Sequence, residues 1–404
     1  MIYFVAILAN FGEIFSLKSG ISFVGLVDEI LLFATYLLVF YKVKYEFNKE
    51  LYWGLSLPLL SIALTLLFNF IYLNDLRFYQ AFIQSFINFK FVIYLILFYV
   101  IDKFYTSDGI DFVKVLFVVS IISLVGYFLN IFLPSYFVIS EDVWHVERNR
   151  ILGFQFKPND LAIFLSLLSV YIYLTTKGFL RMSLIGIMGL LIFNAGSRTA
   201  DMIFISILIF AIIFSGKRKL MWLFLPFGLV FSGLYILDNL DYILATQTIN
   251  DLSQFNEIDD TQYIRVIMIY LGFLLAIDFF PFGVGAGNFG STMSEGSPIY
   301  EVLGVADNPF FVDMVGIYDS NLSSLVAEYG LILSLVVFYV IYRLLVIINI
   351  PKRERVWFYL IIIFISILQP ILSYSVNSIN VILILMSLMS NNRKSEKYKY
   401  WISQ

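Results

Sequence analysis

Two arginines in apolar surroundings are the residues of this chain best suited to binding an anion. Arg198 lies in NAGSRTAD, a short turn between two apolar runs, and Arg265 lies in DDTQYIRVIMIYLG, just after an acidic pair. A guanidinium group forks onto anionic oxygens through parallel N–H donors, so both residues could bind an anion. Two alternatives stay open, because Arg198 could pair with Asp201 on the next helix and Arg265 could reach the membrane interface.

A second group of cations lies in the polar stretch PSYFVISEDVWHVERNRILGFQFKPND. Its members are His145, Arg148, Arg150 and Lys157. These side chains could bind phosphate or sugar hydroxyl groups. The stretch also carries carboxylates, and exposed ion pairs contribute little, so the cations could instead balance those acids.

Two carboxylates in GIYDSNLSSLVAEYGLI are candidates for acid–base chemistry. Asp319, Ser320 and Asn321 crowd the start of a long apolar run, and Glu328 follows about two helical turns deeper. A helix N-cap needs only one such polar residue, which leaves Asp319 available as a base. Glu328 lies within membrane depth, where an ionisable group indicates function.

The glycine string in PFGVGAGNFG has the spacing Gly285-x-Gly287-x-x-Gly290 of a dinucleotide-binding loop. A true fingerprint follows a strand and opens a helix, whereas this string follows an apolar helix and leads into a loop. We therefore expect a sharp turn after a helix that Pro281 ends, a turn that positions Arg265. Whether the loop N–H groups line a lipid diphosphate stays open.

Metal chemistry has few possible ligands in this sequence. There is no cysteine and a single histidine, which excludes sulfur-ligated and multi-histidine sites. The Asp-x-Asp pattern of metal-dependent nucleotide-sugar transferases does not occur. We expect neither a metal nor another cofactor, and no nucleic acid partner.

The composition indicates a membrane protein. Of the 404 residues, 60% are hydrophobic and only 14% are charged, more apolar surface than a soluble domain of this length could bury. Long apolar runs recur along the whole chain, and no polar stretch is long enough for a separate soluble domain. We therefore expect a single integral membrane domain over residues 1–404.

Apolar runs of about 20 residues predict membrane spans. The sequence predicts spans at about 2–16, 21–41, 51–73, 82–101, 112–134, 159–175, 180–195, 199–216, 219–238, 321–346, 355–374 and 376–390. The result is an all-α polytopic membrane protein with about twelve transmembrane helices.

Basic clusters set the direction of these spans, since Lys and Arg favour the cytoplasmic side. We expect residues 41–49, 216–219, 351–355 and 393–399 in the cytoplasm, together with both termini. This assignment holds only if the apolar segment 263–280 does not cross, so we predict a periplasm-facing or membrane-surface helix there. Outer loops are then expected at about 135–158 and 239–320.

The order of these stretches resembles the O-antigen polymerase and ligase superfamily of bacterial inner-membrane glycosyltransferases. The similar features are the twelve-span layout, a dominant outer loop near the C-terminus, SRTAD at an outer turn, an arginine helix leading into PFGVGAGNF, and DSNLSSLVAEYG at the next span. The resemblance implies a GT-C-like helical fold, a donor carried on undecaprenyl diphosphate, and inverting transfer without a metal.

The resemblance also implies roles for particular residues. Arg198 and Arg265 match arginines that hold the donor's diphosphate, and Arg150 lies where polymerases often carry loop arginines. Ligases of this superfamily carry a histidine directly before the asparagine of the DSN stretch, where this chain has Ser320 preceded by Asp319. This departure favours a polymerase over a ligase.

The function expected from the resemblance is polymerisation of lipid-linked oligosaccharide repeat units on the periplasmic face. The expected partners are an undecaprenyl-diphosphate-linked donor and acceptor, the bilayer, and a chain-length regulator protein. Asp319 is the preferred base and Glu328 the second choice. The alternatives are a ligase that moves polymer onto lipid A-core, and a transporter or flippase of the lipid-linked unit. Transporters usually have repeated halves and interrupted helices, whereas this sequence has one large outer domain and no repeat.

Overall fold

The computed structural model describes most of the chain. The described residues are 3, 5–7, 10–11, 32–41, 49–73, 75–104, 110–134, 151–155, 158–215, 264–314, 317–318 and 320–402. Within these ranges the chain is helical and contains no strand, which confirms the predicted all-α class.

The described helices follow the apolar runs of the sequence. In chain order they are α1 (Leu32–Tyr41), α2 (Lys49–Phe68, continued by a π-helical turn Asn69–Leu73), α3 (Phe78–Asn88), α4 (Lys90–Phe104), α5 (Phe112–Phe132), α6 (Pro158–Thr175), α7 (Gly178–Asn194), α8 (Arg198–Ser215), α9 (Ile264–Asp278), α10 (Pro298–Val302), α11 (Pro309–Val312), α12 (Asn321–Ile347), α13 (Lys352–Leu368) and α14 (Ser375–Ile402). A 3₁₀ turn, Gly153–Gln155, precedes α6.

Three of these helices are long and apolar enough to cross a membrane. They are Lys49–Leu73, Phe112–Phe132 and Asn321–Ile347, and the bent pair formed by α3 and α4 is a fourth if it counts as one span. The predicted spans 2–16, 21–41 and 219–238 lie wholly or largely outside the described residues. The number twelve therefore stays a prediction.

Helix α5 shows how these helices divide between lipid and protein. One side of α5 exposes large apolar side chains, namely Phe117, Ile121, Val125, Phe128 and Phe132. Its other side buries Ser120, Ser123 and Asn130 against the protein. A soluble protein would present the polar side to water, so this inverted pattern is that of a helix in a bilayer.

Two ion pairs lie at one end of the helical body, which we call the basic end. Arg343 of α12 pairs with Glu50 at the start of α2. Arg393 of α14 pairs with Asp102 near the end of α4 at 2.6 Å. These residues lie in or near three of the four clusters predicted to be cytoplasmic. The compartment that each end faces stays a prediction.

The span predicted at 82–101 is bent in the structure, and it is one span only if α3 and α4 are taken together. Helices α3 and α4 meet at Phe89 with a bend of 52°. At the break the Phe91 N–H donates to the Leu372 carbonyl at 3.0 Å rather than to its own helix. No proline or glycine lies at this break, and the Phe91–Leu372 bond is a tertiary contact that accompanies it.

The last two predicted spans have different limits in the structure. The span predicted at 355–374 ends at Leu368, because Pro370 prevents the helix from continuing. The span predicted at 376–390 begins at Ser375 and continues to Ile402, through the basic tail.

Candidate functional site

Helix α9 and the loop after it form a re-entrant segment, residues 264–297, beside the first half of α12. The Ser323 hydroxyl donates to the Met268 carbonyl near the start of both helices. Deeper in the body the chain turns, where a Cβ on Gly283 would lie 2.5 Å from the Gly330 nitrogen. The loop then returns to the end at which it entered. One face of α9 therefore packs against α12, while the other exposes large apolar side chains such as Tyr270 and Ile277. The location of this helix on the periplasmic side or at the membrane surface stays a prediction.

Helix α12 is interrupted where the re-entrant segment turns. Gly330 has φ 66° and ψ 176°, which breaks the helical conformation. The Val284 and Gly285 N–H groups donate to the carbonyls of Ala327 and Glu328, each at 2.8 Å. Irregular backbone at membrane depth is tolerated only where such partners are supplied by protein or water. The loop and the break in α12 therefore depend on each other, because the loop N–H groups bind the carbonyls at the break.

The Glu328 side chain lies between the break in α12 and the loop, and it is completely buried. One carboxylate oxygen accepts from the Asn88 amide at 2.5 Å and the other from the Gly287 N–H at 2.7 Å. Both donors are neutral. The carboxylate therefore joins three irregular pieces of backbone: the end of α3, the break in α12 and the loop.

A buried hydrogen-bond network extends from Glu328 into α2 and α3. The Gln84 side-chain amide donates to the Asn88 side-chain oxygen at 2.7 Å, and the Asn88 side-chain amide also donates to the Tyr329 hydroxyl at 2.7 Å. Ser61 contacts the Tyr329 hydroxyl at 3.0 Å and the Ser85 hydroxyl at 2.6 Å. Buried polar groups of this kind fix one arrangement of the helices, because each lost partner is costly.

Arg77 holds the returning part of the loop. Its guanidinium donates to the Asn288 side-chain oxygen at 3.2 Å and to the Glu295 carbonyl at 3.0 Å. Burial lowers the pKa of Arg77 below its ordinary value. The nearby Asp75 carboxylate acts in the opposite direction, but its effect is smaller. Arginine stays cationic under such shifts. A buried positive charge is therefore fixed where the re-entrant segment leaves the helical body.

Tyr300 closes the loop on its far side. Its hydroxyl accepts from the Gly290 N–H at 3.1 Å and contacts the Ser294 hydroxyl at 2.7 Å. Burial raises the pKa of Tyr300 to about 12, so the hydroxyl stays protonated at any physiological pH. It serves as a neutral hydrogen-bonding group.

The loop N–H groups are already used within the protein. The backbone N–H groups of residues 283 to 287 and of Gly290 each donate to an acceptor within the protein. In chain order, the acceptors are Phe279 O, Ala327 O, Glu328 O, Thr65 Oγ1, the Glu328 carboxylate and the Tyr300 hydroxyl. The hypothesis that these six groups line a diphosphate is therefore wrong. The expected turn is confirmed, since the string leads into loop and its four glycines all have positive φ.

The two arginines predicted to bind the diphosphate both lie at helix starts. Arg198 is the first residue of α8, directly after the predicted turn, and Arg265 is the second residue of α9. Their side chains lie outside what the structure describes. The other predicted binding residues and the first-choice base also lie outside the described residues: His145, Arg148, Arg150, Lys157 and Asp319.

Ser320 caps α12, as a single polar residue at this helix start should. Its side chain accepts from the Ser323 N–H, which satisfies one of the free donors of the first turn. Asn321 has another task, since its side chain accepts from the Leu372 N–H at 2.6 Å and donates to the Ser373 hydroxyl at 2.8 Å. The cap therefore does not require Asp319.

The start of α12 lies at one end of the helical body, which we call the loop end. Further hydrogen bonds join other helix starts at the loop end. The Ser197 hydroxyl donates to the Asn159 side chain at 2.6 Å, which links the starts of α6 and α8. The Asn377 amide donates to Asp160 at 3.3 Å, which links α6 to α14. Together with the Asn321 contacts, these bonds tie the starts of α6, α8, α12 and α14 to one end of the body.

The sequence analysis missed Arg77 and Asn88. A signal was present in NDLRFYQAFIQSFINFK, where an arginine precedes an apolar helix and Gln84 and Asn88 are spaced i, i+4. Polar residues at that spacing share one helix face, and inside a membrane such a face must meet protein or water.

Comparison with known proteins leaves the function to be argued from the site. No protein-family model matches the chain, and no curated protein matches it. Within the described ranges no three histidine or acidic side chains are grouped as a metal site would require.

Proposed function

We propose that this protein polymerises lipid-linked oligosaccharide repeat units of an O-antigen or a related surface polysaccharide. In this proposal the chain has about twelve spans in a GT-C-like arrangement in the bacterial inner membrane, with both termini cytoplasmic. The loop end faces the periplasm. Donor and acceptor are both carried on undecaprenyl diphosphate, and a chain-length regulator is a further partner.

The observation that carries the proposal is where the candidate residues occur. Arg198 begins α8 and Arg265 lies in the first turn of α9, while Asp319 directly precedes the Ser320 cap of α12. The starts of α8 and α12 belong to the loop end, and the Ser323–Met268 bond joins α9 and α12 near their starts. A diphosphate held near the bilayer surface is reached from this end. Helix N-termini there add to the attraction for an anion.

These residues fit the chemistry of transfer from a diphosphate. The acceptor hydroxyl oxygen attacks the anomeric carbon, and the bond to the diphosphate oxygen breaks with inversion. The diphosphate leaves with the electron pair, and preorganised guanidinium groups of Arg198 and Arg265 stabilise its charge. The acceptor proton passes to a carboxylate, for which Asp319 is the first choice and Glu328 the second.

The loop predicted at 135–158 supplies the sugar-binding residues in this proposal. Arg148, Arg150 and Lys157 are cations, and with His145 they hydrogen-bond to sugar hydroxyl groups or to the second diphosphate.

Deletion of the gene in its host tests this function. A polymerase deletion leaves lipid A-core bearing a single repeat unit on a glycan gel. A ligase deletion leaves bare core with polymer stranded on its lipid carrier. Long surface glycan that persists in the deletion strain would exclude both enzymes.

One structural observation favours a second candidate, a flippase of the lipid-linked unit. Helix α12 is broken at Gly330, and α3 and α4 are bent by 52° at Phe89. Interrupted helices with polar centres are common where transporters bind their substrates. The deletion experiment separates this candidate, because loss of a flippase gives bare core and repeat units trapped on the cytoplasmic leaflet.

A further inference from the structure

We infer that Glu328 and Asn88 are positioning residues that hold the re-entrant segment in place, and with it Arg265. The inference rests on the proposed function for its consequence in catalysis, and on geometry alone for the positioning itself. It leaves Asp319 as the expected base.

The geometry at Glu328 is that of an anchor. Its two carboxylate oxygens accept from different parts of the chain, Asn88 at the end of α3 and Gly287 in the loop. Asn88 is itself held by Gln84 and Tyr329. A base must reach its substrate's proton, whereas this carboxylate is completely buried and its oxygens are engaged by protein donors.

A second anchor lies at the other end of the loop. The Arg77 guanidinium donates to Asn288 and to the carbonyls of Met293 and Glu295. Glu328 therefore fixes the inner turn, and Arg77 fixes the returning part of the loop. A segment held at two points has little freedom to shift along its neighbours.

The anchored loop continues directly from α9, the helix that carries Arg265 in its first turn. The face of α9 that meets α12 is closely packed, since a Cβ on Gly272 would lie 2.8 Å from the Ser323 carbonyl oxygen. Motion of the inner turn would therefore move α9 along α12. A shift of about 1 Å at a diphosphate-binding arginine is enough to lower the rate of transfer by about two orders of magnitude.

Hydrogen–deuterium exchange of the full-length protein in lipid nanodiscs tests the anchor without any substrate. We expect Glu328→Gln and Asn88→Leu each to speed exchange in residues 281–297 by about ten-fold or more, because each leaves a buried donor or acceptor unpaired. The matched control is Asn130→Leu. Asn130 is a buried asparagine whose side chain accepts from the Leu152 and Gly153 N–H groups. The Asn130→Leu variant should speed exchange near residues 151–153 only.

A pH profile of glycan transfer then separates positioning from acid–base catalysis. With repeat units on undecaprenyl diphosphate as the substrate, a positioning role lowers kcat in both variants and leaves the shape of the profile unchanged. If the acidic limb of the pH profile is lost in Glu328→Gln but kept in Asn88→Leu, Glu328 is a base and the inference is overturned. Unchanged exchange in residues 281–297 for both variants would overturn it as well. Wild-type protein that transfers nothing would refute the proposed function and leave the exchange result standing.

Discussion

Replacement of Gly330 by alanine should destabilise the protein strongly, because the residue is constrained in two ways. Its φ of 66° and ψ of 176° lie in a region that is essentially restricted to glycine, at a cost of about 1–3 kcal/mol for another residue. A Cβ there would also lie 3.0 Å from the Gly283 nitrogen and collide with the Pro281 carbonyl. Overpacking of this kind costs about 1–3 kcal/mol more. The sum is a loss of about 2–6 kcal/mol in the free energy of unfolding.

The assay is thermal unfolding of the purified protein, followed by the fraction that stays monodisperse after heating. For a chain of this size the loss corresponds to a fall in Tm of a few degrees. Gly186→Ala is the matched control, because Gly186 lies inside α7 and a Cβ there meets nothing within 4 Å. We expect this control to be neutral or to stabilise by about 0.5–1 kcal/mol. A wild-type Tm for Gly330→Ala, or an equal fall for both variants, would refute the reasoning.

Three further substitutions test other parts of the site. Arg265→Lys should abolish chain growth while the protein still inserts in the membrane, since an ammonium cannot fork onto a diphosphate; normal glycan on a gel would remove this arginine from the site. Ser320→Ala should cost about 1 kcal/mol through loss of the cap on the Ser323 N–H, measured by thermal unfolding. Thr65→Val leaves the buried Ala286 N–H without its acceptor. We expect a loss of about 1–3 kcal/mol, and an unchanged Tm would show that this bond contributes nothing.

The sequence was sufficient to predict the features that depend on local chemistry. Apolar runs predicted the all-helical class, and the excess of polar residues before α12 predicted a cap, which Ser320 supplies. The turn after α9 followed from Pro281 and the glycines, because these residues restrict or free the backbone wherever they occur. Such signals need no knowledge of the rest of the fold.

The features that depend on tertiary contact could not be predicted in the same way. The break at Phe89 carries no local signal, because it is stabilised by the Leu372 carbonyl from a distant segment. The packing of α9 was also hidden, since hydropathy alone does not show which face of an apolar helix lies against α12. Both depend on partners that the sequence does not place in space.

The polar centre of the site explains why these breaks occur together. A carboxylate such as Glu328 is costly in a bilayer unless protein donors surround it. A continuous helix cannot supply those donors, because its own N–H groups are already paired. The loop provides the Gly287 N–H, and the end of α3 provides the Asn88 amide. The interrupted helices are therefore the condition for burying this carboxyl group, and its replacement should release the segment that it holds.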